Sequence, residues 1–227
     1  MTRPLRLDAT ADQQSAPRFI VVEGPIGVGK TTLARRLAET FGSELMLEGA
    51  DENPFLERFY QDPRSAALPT QLFFLFQRAR QLQSWRQGDM FAPVRVADFL
   101  MQKDRLFAQL TLDDDELRLY EQAYEHLTLD APLPDLVIYL QAPVEVLLER
   151  IARRSRSYER QLSADYLRRV AEAYTQFFYQ YDQTPLLIVN AAEINLAQGD
   201  ADYAQLLEQV RSMRSGRHYF NPLPLKL

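Results

Sequence analysis

FIVVEGPIGVGKTT, the stretch from Phe19 to Thr32, decides the fold. Its first five residues, Phe19 to Glu23, form a short apolar run rich in β-branched side chains, which predicts a buried strand. The next eight, Gly24-Pro25-Ile26-Gly27-Val28-Gly29-Lys30-Thr31, match G-x-x-x-x-G-K-[ST] in full, at the passage from that strand into a helix. Glycines let the backbone wrap with its N–H groups pointing inward, and the helix that begins near Gly29 adds its positive end. A polyphosphate can therefore exchange its water hydrogen bonds for preorganised ones. Gly24, Gly27, Val28 and Gly29 form the cradle, with Thr32 beside it. Lys30 is placed to reach the β- and γ-phosphates and the Thr31 hydroxyl to ligate Mg²⁺.

Outward from this loop, short apolar runs recur at Glu44–Leu47, Val94–Phe99, Asp135–Leu140 and Leu186–Asn190, separated by longer stretches of helical character. Each return to the sheet is then a crossover, so the pattern predicts an α/β fold with a five-stranded parallel sheet and helices on both faces. Ligands bind such sheets beyond the carboxyl ends of the strands, which directs attention to Glu23–Thr31, Glu48–Asn53, Asp98 and the segment after Gln141.

With 227 residues, 46% of them apolar, the chain has material for one substantial core. A single domain is expected over 18–215, between mobile tails at 1–17 and 216–227. No apolar run approaches the roughly 20 residues that span a bilayer, and the start lacks the apolar core of a signal peptide, so a cytoplasmic protein without membrane contact is expected. Lys and Arg number 26 against 31 Asp and Glu, a net charge of −5 that argues against coating nucleic acid. Cysteine is absent, which excludes disulfides and thiolate chemistry, and His126 and His218 are the only imidazoles, which argues against a multi-histidine metal site within the chain.

A triphosphate site serves motors, switches, hydrolases and kinases. No N-K-x-D segment for guanine occurs, and the chain is short for a large ATPase, so transfer to a small acceptor suits it better. Such transfer asks for a carboxylate near the acceptor, a carboxylate for the metal and cations spanning the transferred group. Glu48, at the end of the second run, can take the proton of an acceptor hydroxyl; position alone also allows a capping acid before the Asp51-Glu52-Asn53-Pro54 turn. Asp98 ends the third run, where it can hold Mg²⁺ directly or through water. Arg150, Arg153, Arg154, Arg156 and Arg160 crowd into eleven residues. They read either as a solvated basic face or as a segment that closes over phosphates and excludes water.

The spacing predicts a helix over 64–86, with Gln71, Phe74 and Arg78 on one stripe. This is either an exposed polar stripe or a base-reading one, in which the Gln amide pairs with a base edge and the Phe stacks on its face. Tyr166, Val170, Ala173, Tyr174, Phe177 and Tyr181 fall on one helical face, whose ordinary use is core packing rather than an aromatic ligand box.

Together, IVVEGPIGVGKTT, LEGADENPFLERFYQDP, KDRLFA and RIARRSRSYE resemble the deoxynucleoside kinase family, above all its bacterial deoxyadenosine, deoxyguanosine and deoxycytidine kinase branch, from about Phe19 to Tyr181. The resemblance implies a P-loop kinase fold with an Arg-rich lid at about 150–162 and a homodimer formed through helices. The implied reaction is nucleotide salvage, with ATP and Mg²⁺ phosphorylating a deoxyribonucleoside 5′-hydroxyl. It gives Glu48 the general-base role, Tyr60 and Glu159 the sugar 3′-hydroxyl, Gln71 the base, Arg78 and Asp104 the far edge of the base pocket, and Phe107 a packing contact with the base. Arg150, Arg154 and Arg156 fall to the donor phosphates or the transferred group.

Two positions depart from the family pattern. After the acid of the third strand the family has Arg and Ser, whereas here Phe99 and Leu100 follow Asp98. That arginine ordinarily helps hold the acid and the acceptor oxygen, so either Arg95, Lys103 or Arg105 replaces it in space or turnover and substrate range differ. Gly49 stands where proline is common and is expected only to loosen the turn. Competing functions are a nucleoside monophosphate kinase of the thymidylate kinase type and a nucleotide-binding regulatory protein with impaired catalysis. Glu48, Asp51, Glu52 and Tyr60 on the acceptor side suit an uncharged nucleoside and repel a monophosphate. Gln71 does not choose the base alone; a purine is favoured.

Overall fold

The computed structural model describes residues 17–86, 94–194 and 199–222, which places the expected N-terminal tail, apart from Pro17, outside the described residues. Six strands form one parallel sheet: β1 (Phe19–Glu23), β2 (Glu44–Met46), β3 (Arg95–Ala97), β4 (Leu136–Gln141), β5 (Leu186–Asn190) and β6 (Arg217–Phe220). Their order is β2-β3-β1-β4-β5-β6, with β1 in the interior between β3 and β4.

Alternate residues of the interior strands enter two cores, so both faces are buried and the strands read as continuous apolar runs. Ile20, Val22, Ile138 and Val189 pack with α1 (Lys30–Phe41), α6 (Val144–Arg154) and α8 (Asp200–Ser212). Val21, Val137, Tyr139 and Ile188 face α3 (Pro63–Arg86), α4 (Asp104–Thr111), α5 (Asp114–Thr128) and α7 (Ala164–Gln180). A smaller cluster of Leu56, Phe59, Ala66 and Ala67 joins α2 (Leu56–Gln61) to the start of α3. Among the described residues no helix is long and apolar enough to cross a membrane.

The sheet has six strands rather than the five expected, and the extra one occupies part of the segment read as a C-terminal tail. β6 has the sequence RHYF and sits at the sheet edge with its first three residues exposed, so no buried apolar pattern marks it. Backbone pairing holds an edge strand without one: Leu186 N–H donates to Gly216 O at 3.0 Å, and the Arg217 guanidinium donates to the carbonyls of Phe178, Tyr179 and Tyr181. Residues 223–227 lie outside the described residues. The α7 stripe packs chiefly as core, with Phe178 stacked on Tyr139 at 4.2 Å.

Gly49 does more than loosen its turn. It adopts φ 50° and ψ 43° at the start of a short 3₁₀ segment, Ala50–Glu52. Proline, fixed near φ −65°, cannot take that conformation, so the chain leaves β2 by a different route from one built on proline. Asn53 then pins the turn: its side chain accepts from Phe55 N–H at 3.0 Å and donates to Thr70 O of α3 at 3.2 Å.

Candidate active site

A cleft of about 440 Å³ opens beyond the carboxyl ends of β1, β2 and β3. One wall is the phosphate loop. At Gly24 the backbone has φ +151°, and a Cβ there would stand 2.3 Å from Leu140 O, so the loop passes β4 too closely for any side chain. Lys30 Nζ donates to Gly24 O at 2.7 Å, and burial pushes its ammonium below the ordinary lysine range against the pull of Glu23 and Asp98.

Asp98, directly after β3, links the two walls. Its Oδ2 accepts from the Thr31 hydroxyl at 2.5 Å and its Oδ1 from Glu48 N–H at 2.7 Å. Burial raises its pKa, opposed by the Thr31 hydrogen bond and Lys30. A hydroxyl and a carboxylate side by side are hard oxygen donors of the kind Mg²⁺ takes when phosphates and water complete its shell. The two residues therefore fit that ion, although the described residues contain no cluster of three acidic or imidazole ligands.

The opposite wall is built of charged side chains. Glu48 lies two residues beyond β2, and its Oε1 takes both Arg78 and, at 3.2 Å, Lys103. Among the described residues Oε2 has no hydrogen-bond donor. Arg78 also pairs with Asp104. Both are buried, the arginine facing the cleft and the aspartate behind it. Glu23, fully buried at the end of β1, accepts from Gly24 N–H and the Tyr174 hydroxyl, both at 2.9 Å, and from Leu100 N–H at 2.8 Å. Burying so many charges is tolerable only when each has a partner of opposite sign or a donor.

Gln71, only 5% exposed, donates through Nε2 to Thr111 Oγ1 at 3.3 Å, and Thr111 donates on to Phe107 O at 2.7 Å. The α3 stripe is therefore not the exposed alternative: Gln71, Phe74 and Arg78 all line the cleft, as does Phe107. Tyr60 stacks parallel to Tyr158 at 6.4 Å, and burial, then Tyr166 and Glu159, push its hydroxyl well above the ordinary tyrosine range. Glu159, buried, receives a two-point contact from Arg154. Arg156 donates to the Tyr158 hydroxyl at 2.5 Å and lies 3.8 Å from Asp51, so the arginine segment reaches across the cleft mouth.

The expected site residues thus converge with few exceptions. Gly27, Gly29, Lys30, Thr31, Thr32, Glu48, Tyr60, Asp98, Arg154, Arg156 and Glu159 line the same cleft, with Gly24, Val28 and Asp104 supporting it from behind. Arg150 does not join them. Its guanidinium donates to Val28 O at 3.2 Å, Ala191 O at 2.7 Å and Ala192 O at 3.2 Å, tying the phosphate loop to the end of β5 instead of facing a phosphate. Nothing in the sequence marks Tyr158 or Thr111, and Tyr174 is marked only as part of the core face of its helix. Glu23 carried a signal, since an acid at the end of an apolar strand has to find donors.

A parallel sheet with its phosphate loop after β1, a metal-suited Thr–Asp pair and a carboxylate across the cleft define a P-loop phosphotransferase. The family model described as deoxynucleoside kinase matches residues 20–214, and the chain belongs to that family. It is similar to the deoxyguanosine kinase of Bacillus subtilis (strain 168), 32% identical over 203 residues, covering 86% of this chain and 97% of that protein. It is also similar to the deoxyadenosine/deoxycytidine kinase of the same organism, 28% identical, covering 86% and 92%. In fold it resembles a deoxyadenosine kinase from M. mycoides, with a TM-score of 0.74 at 24% identity over 86% of this chain and 99% of that one. Membership makes the chain a kinase and favours that reading over a monophosphate kinase or a regulatory protein.

Proposed function

We propose that the cleft transfers the γ-phosphoryl group of ATP to the 5′-hydroxyl of a purine deoxynucleoside, with Glu48 as the general base. The observation that carries this is Glu48 itself: Arg78 and Lys103 both hold Oε1, and among the described residues no donor holds Oε2 in the cleft that contains the phosphate loop. Tyr60 and Glu159 hold the sugar 3′-hydroxyl, Gln71 pairs with the base and Phe74 or Phe107 packs on its face. Asp104 acts through Arg78 by fixing its guanidinium. Thr31 and Asp98 hold Mg²⁺, which when bound offsets charge on the phosphate oxygens. Arg154 and Arg156 close the mouth over the donor, and the exclusion of water favours transfer over hydrolysis.

The names of the relatives, deoxyguanosine kinase and deoxyadenosine/deoxycytidine kinase, support a deoxynucleoside acceptor and are compatible with a purine. A homodimer belongs to the same reading: Phe76 of α3 and Leu119 of α5 are half exposed and offer apolar surface on helices that pack together. Light scattering should give twice the chain mass.

The test is ADP release by the purified protein with ATP, Mg²⁺ and each of the common deoxynucleosides. Deoxyguanosine and deoxyadenosine should turn over faster than deoxycytidine and thymidine. A pyrimidine preferred over both purines removes the base assignment, and turnover with deoxynucleoside monophosphates alone removes the acceptor.

A further inference from the structure

The arginine missing after Asp98 has three candidate replacements, and the structure separates them. Arg95 lies 3.7 Å from Glu44 on β2, and Arg105 pairs with Glu121 of α5; neither lines the cleft. Lys103 does. It is 2% exposed, with Nζ 3.2 Å from Glu48 Oε1, 3.8 Å from Glu23 Oε2 and 4.9 Å from the Phe107 ring centre.

A counter-ion for Glu23 alone is the plainer use of a buried lysine. Two observations weigh against it. Glu23 already accepts three hydrogen bonds, from Gly24, Tyr174 and Leu100, and Lys103 stands closer to Glu48 than to Glu23. Phe99, at the position of the missing arginine, is 1% exposed and belongs to the apolar core, so it offers Glu48 no donor. The lysine nitrogen comes to the carboxylate from a residue four places farther along the chain.

We propose that Lys103 is a positioning residue for phosphoryl transfer, holding Oε1 of Glu48 from the Glu23 side so that Oε2 meets the acceptor hydroxyl. This rests on the reaction proposed above. In that step the acceptor O–H bond breaks and its proton goes to Glu48 Oε2. The oxygen forms a bond to the γ-phosphorus, and the bond to the β–γ bridging oxygen breaks with its electron pair leaving on ADP. Lys103 exchanges no proton; its N–H fixes the acid.

The test compares Lys103→Met and Lys103→Ala with the parent, using a deoxynucleoside that the parent phosphorylates. Misplacing a reacting group by about 1 Å costs on the order of 100-fold, so kcat should fall by about that factor in both variants. KM for the nucleoside and Kd for Mg-ATP should stay within about threefold, the pattern of an interaction needed only in the transition state. Propylamine should restore kcat of Lys103→Ala saturably, by about tenfold, by occupying the space of the deleted side chain. Parent-like kcat in Lys103→Met overturns the proposal, as does loss of turnover with equal loss of Mg-ATP binding and no recovery with the amine. Should Lys103→Met not fold, the amine recovery decides alone. A parent that phosphorylates no deoxynucleoside removes the functional reading and this one with it, whereas an active parent matched by an active Lys103→Met removes only the role of Lys103.

Discussion

The donor wall of the cleft is one continuous stretch, Gly24–Thr31, whose shape comes from backbone: a glycine pressed against Leu140 O, a helix start at Lys30 and a lysine folded onto Gly24 O. The acceptor wall is assembled from separate segments around Glu48, Gln71, Arg78 and Lys103, and consists of side chains holding other side chains. A backbone cradle needs few particular side chains and binds a ligand that every such kinase shares. A wall of mutually dependent charges is sensitive at each position, and it faces the ligand that varies. Damage to the first should appear as lost donor handling; damage to the second should appear as lost acceptor handling with the donor side intact.

The largest effect is expected at Lys30, the side chain of the phosphate loop that acts through its charge. Lys30→Ala should lower kcat by about 10³-fold, because a preorganised cation is lost where phosphate charge develops. Deoxynucleoside affinity, measured by calorimetry, should hardly move; equal loss for both ligands would break the division between the walls.

Arg78→Met leaves Asp104 without the cation that pairs with it, and removing one partner of a buried pair costs about 3 kcal/mol or more. Urea unfolding should show that loss. In the protein that remains folded, nucleoside binding should weaken while Mg-ATP binding persists. Gln71→Ala should be milder, about tenfold in nucleoside affinity for the loss of an amide contact, with Mg-ATP affinity unchanged.

The last expectation concerns stability against pH rather than either ligand. Burial, with help from Arg78, pushes the Lys103 ammonium well below the ordinary lysine range. Between that depressed value and the value in the unfolded chain, about 10.4, the unfolded state binds more protons, so this lysine's contribution to stability rises with pH. The unfolding free energy of the parent relative to Lys103→Met should therefore increase from pH 7 to 9.5, by no more than about 1.4 kcal/mol per pH unit. A difference independent of pH would mean that Lys103 titrates as it does in water.

Legibility follows the same division. The phosphate loop, its strand and the helix after it can be read directly because one contiguous motif carries them. The interior strands are readable because burial on both faces makes them apolar throughout. β6 is not, because an edge strand with Arg217 and His218 is held by backbone pairing and a guanidinium on the end of α7. Arg150 illustrates the limit on the site: five arginines in eleven residues announce an anion site, but helix phase turns this one onto the carbonyls of Val28, Ala191 and Ala192. Lys103 is the converse, an ordinary lysine in sequence whose distance to Glu48 is set only by the fold.

The central claim is that Glu48 takes the acceptor proton. Single-turnover phosphorylation by Glu48→Gln, under saturating Mg-ATP and deoxynucleoside, tests it most directly because the substitution keeps the shape and removes the proton acceptor. The rate should fall by about 10³-fold while both ligands still bind; a rate close to that of the parent would contradict the account.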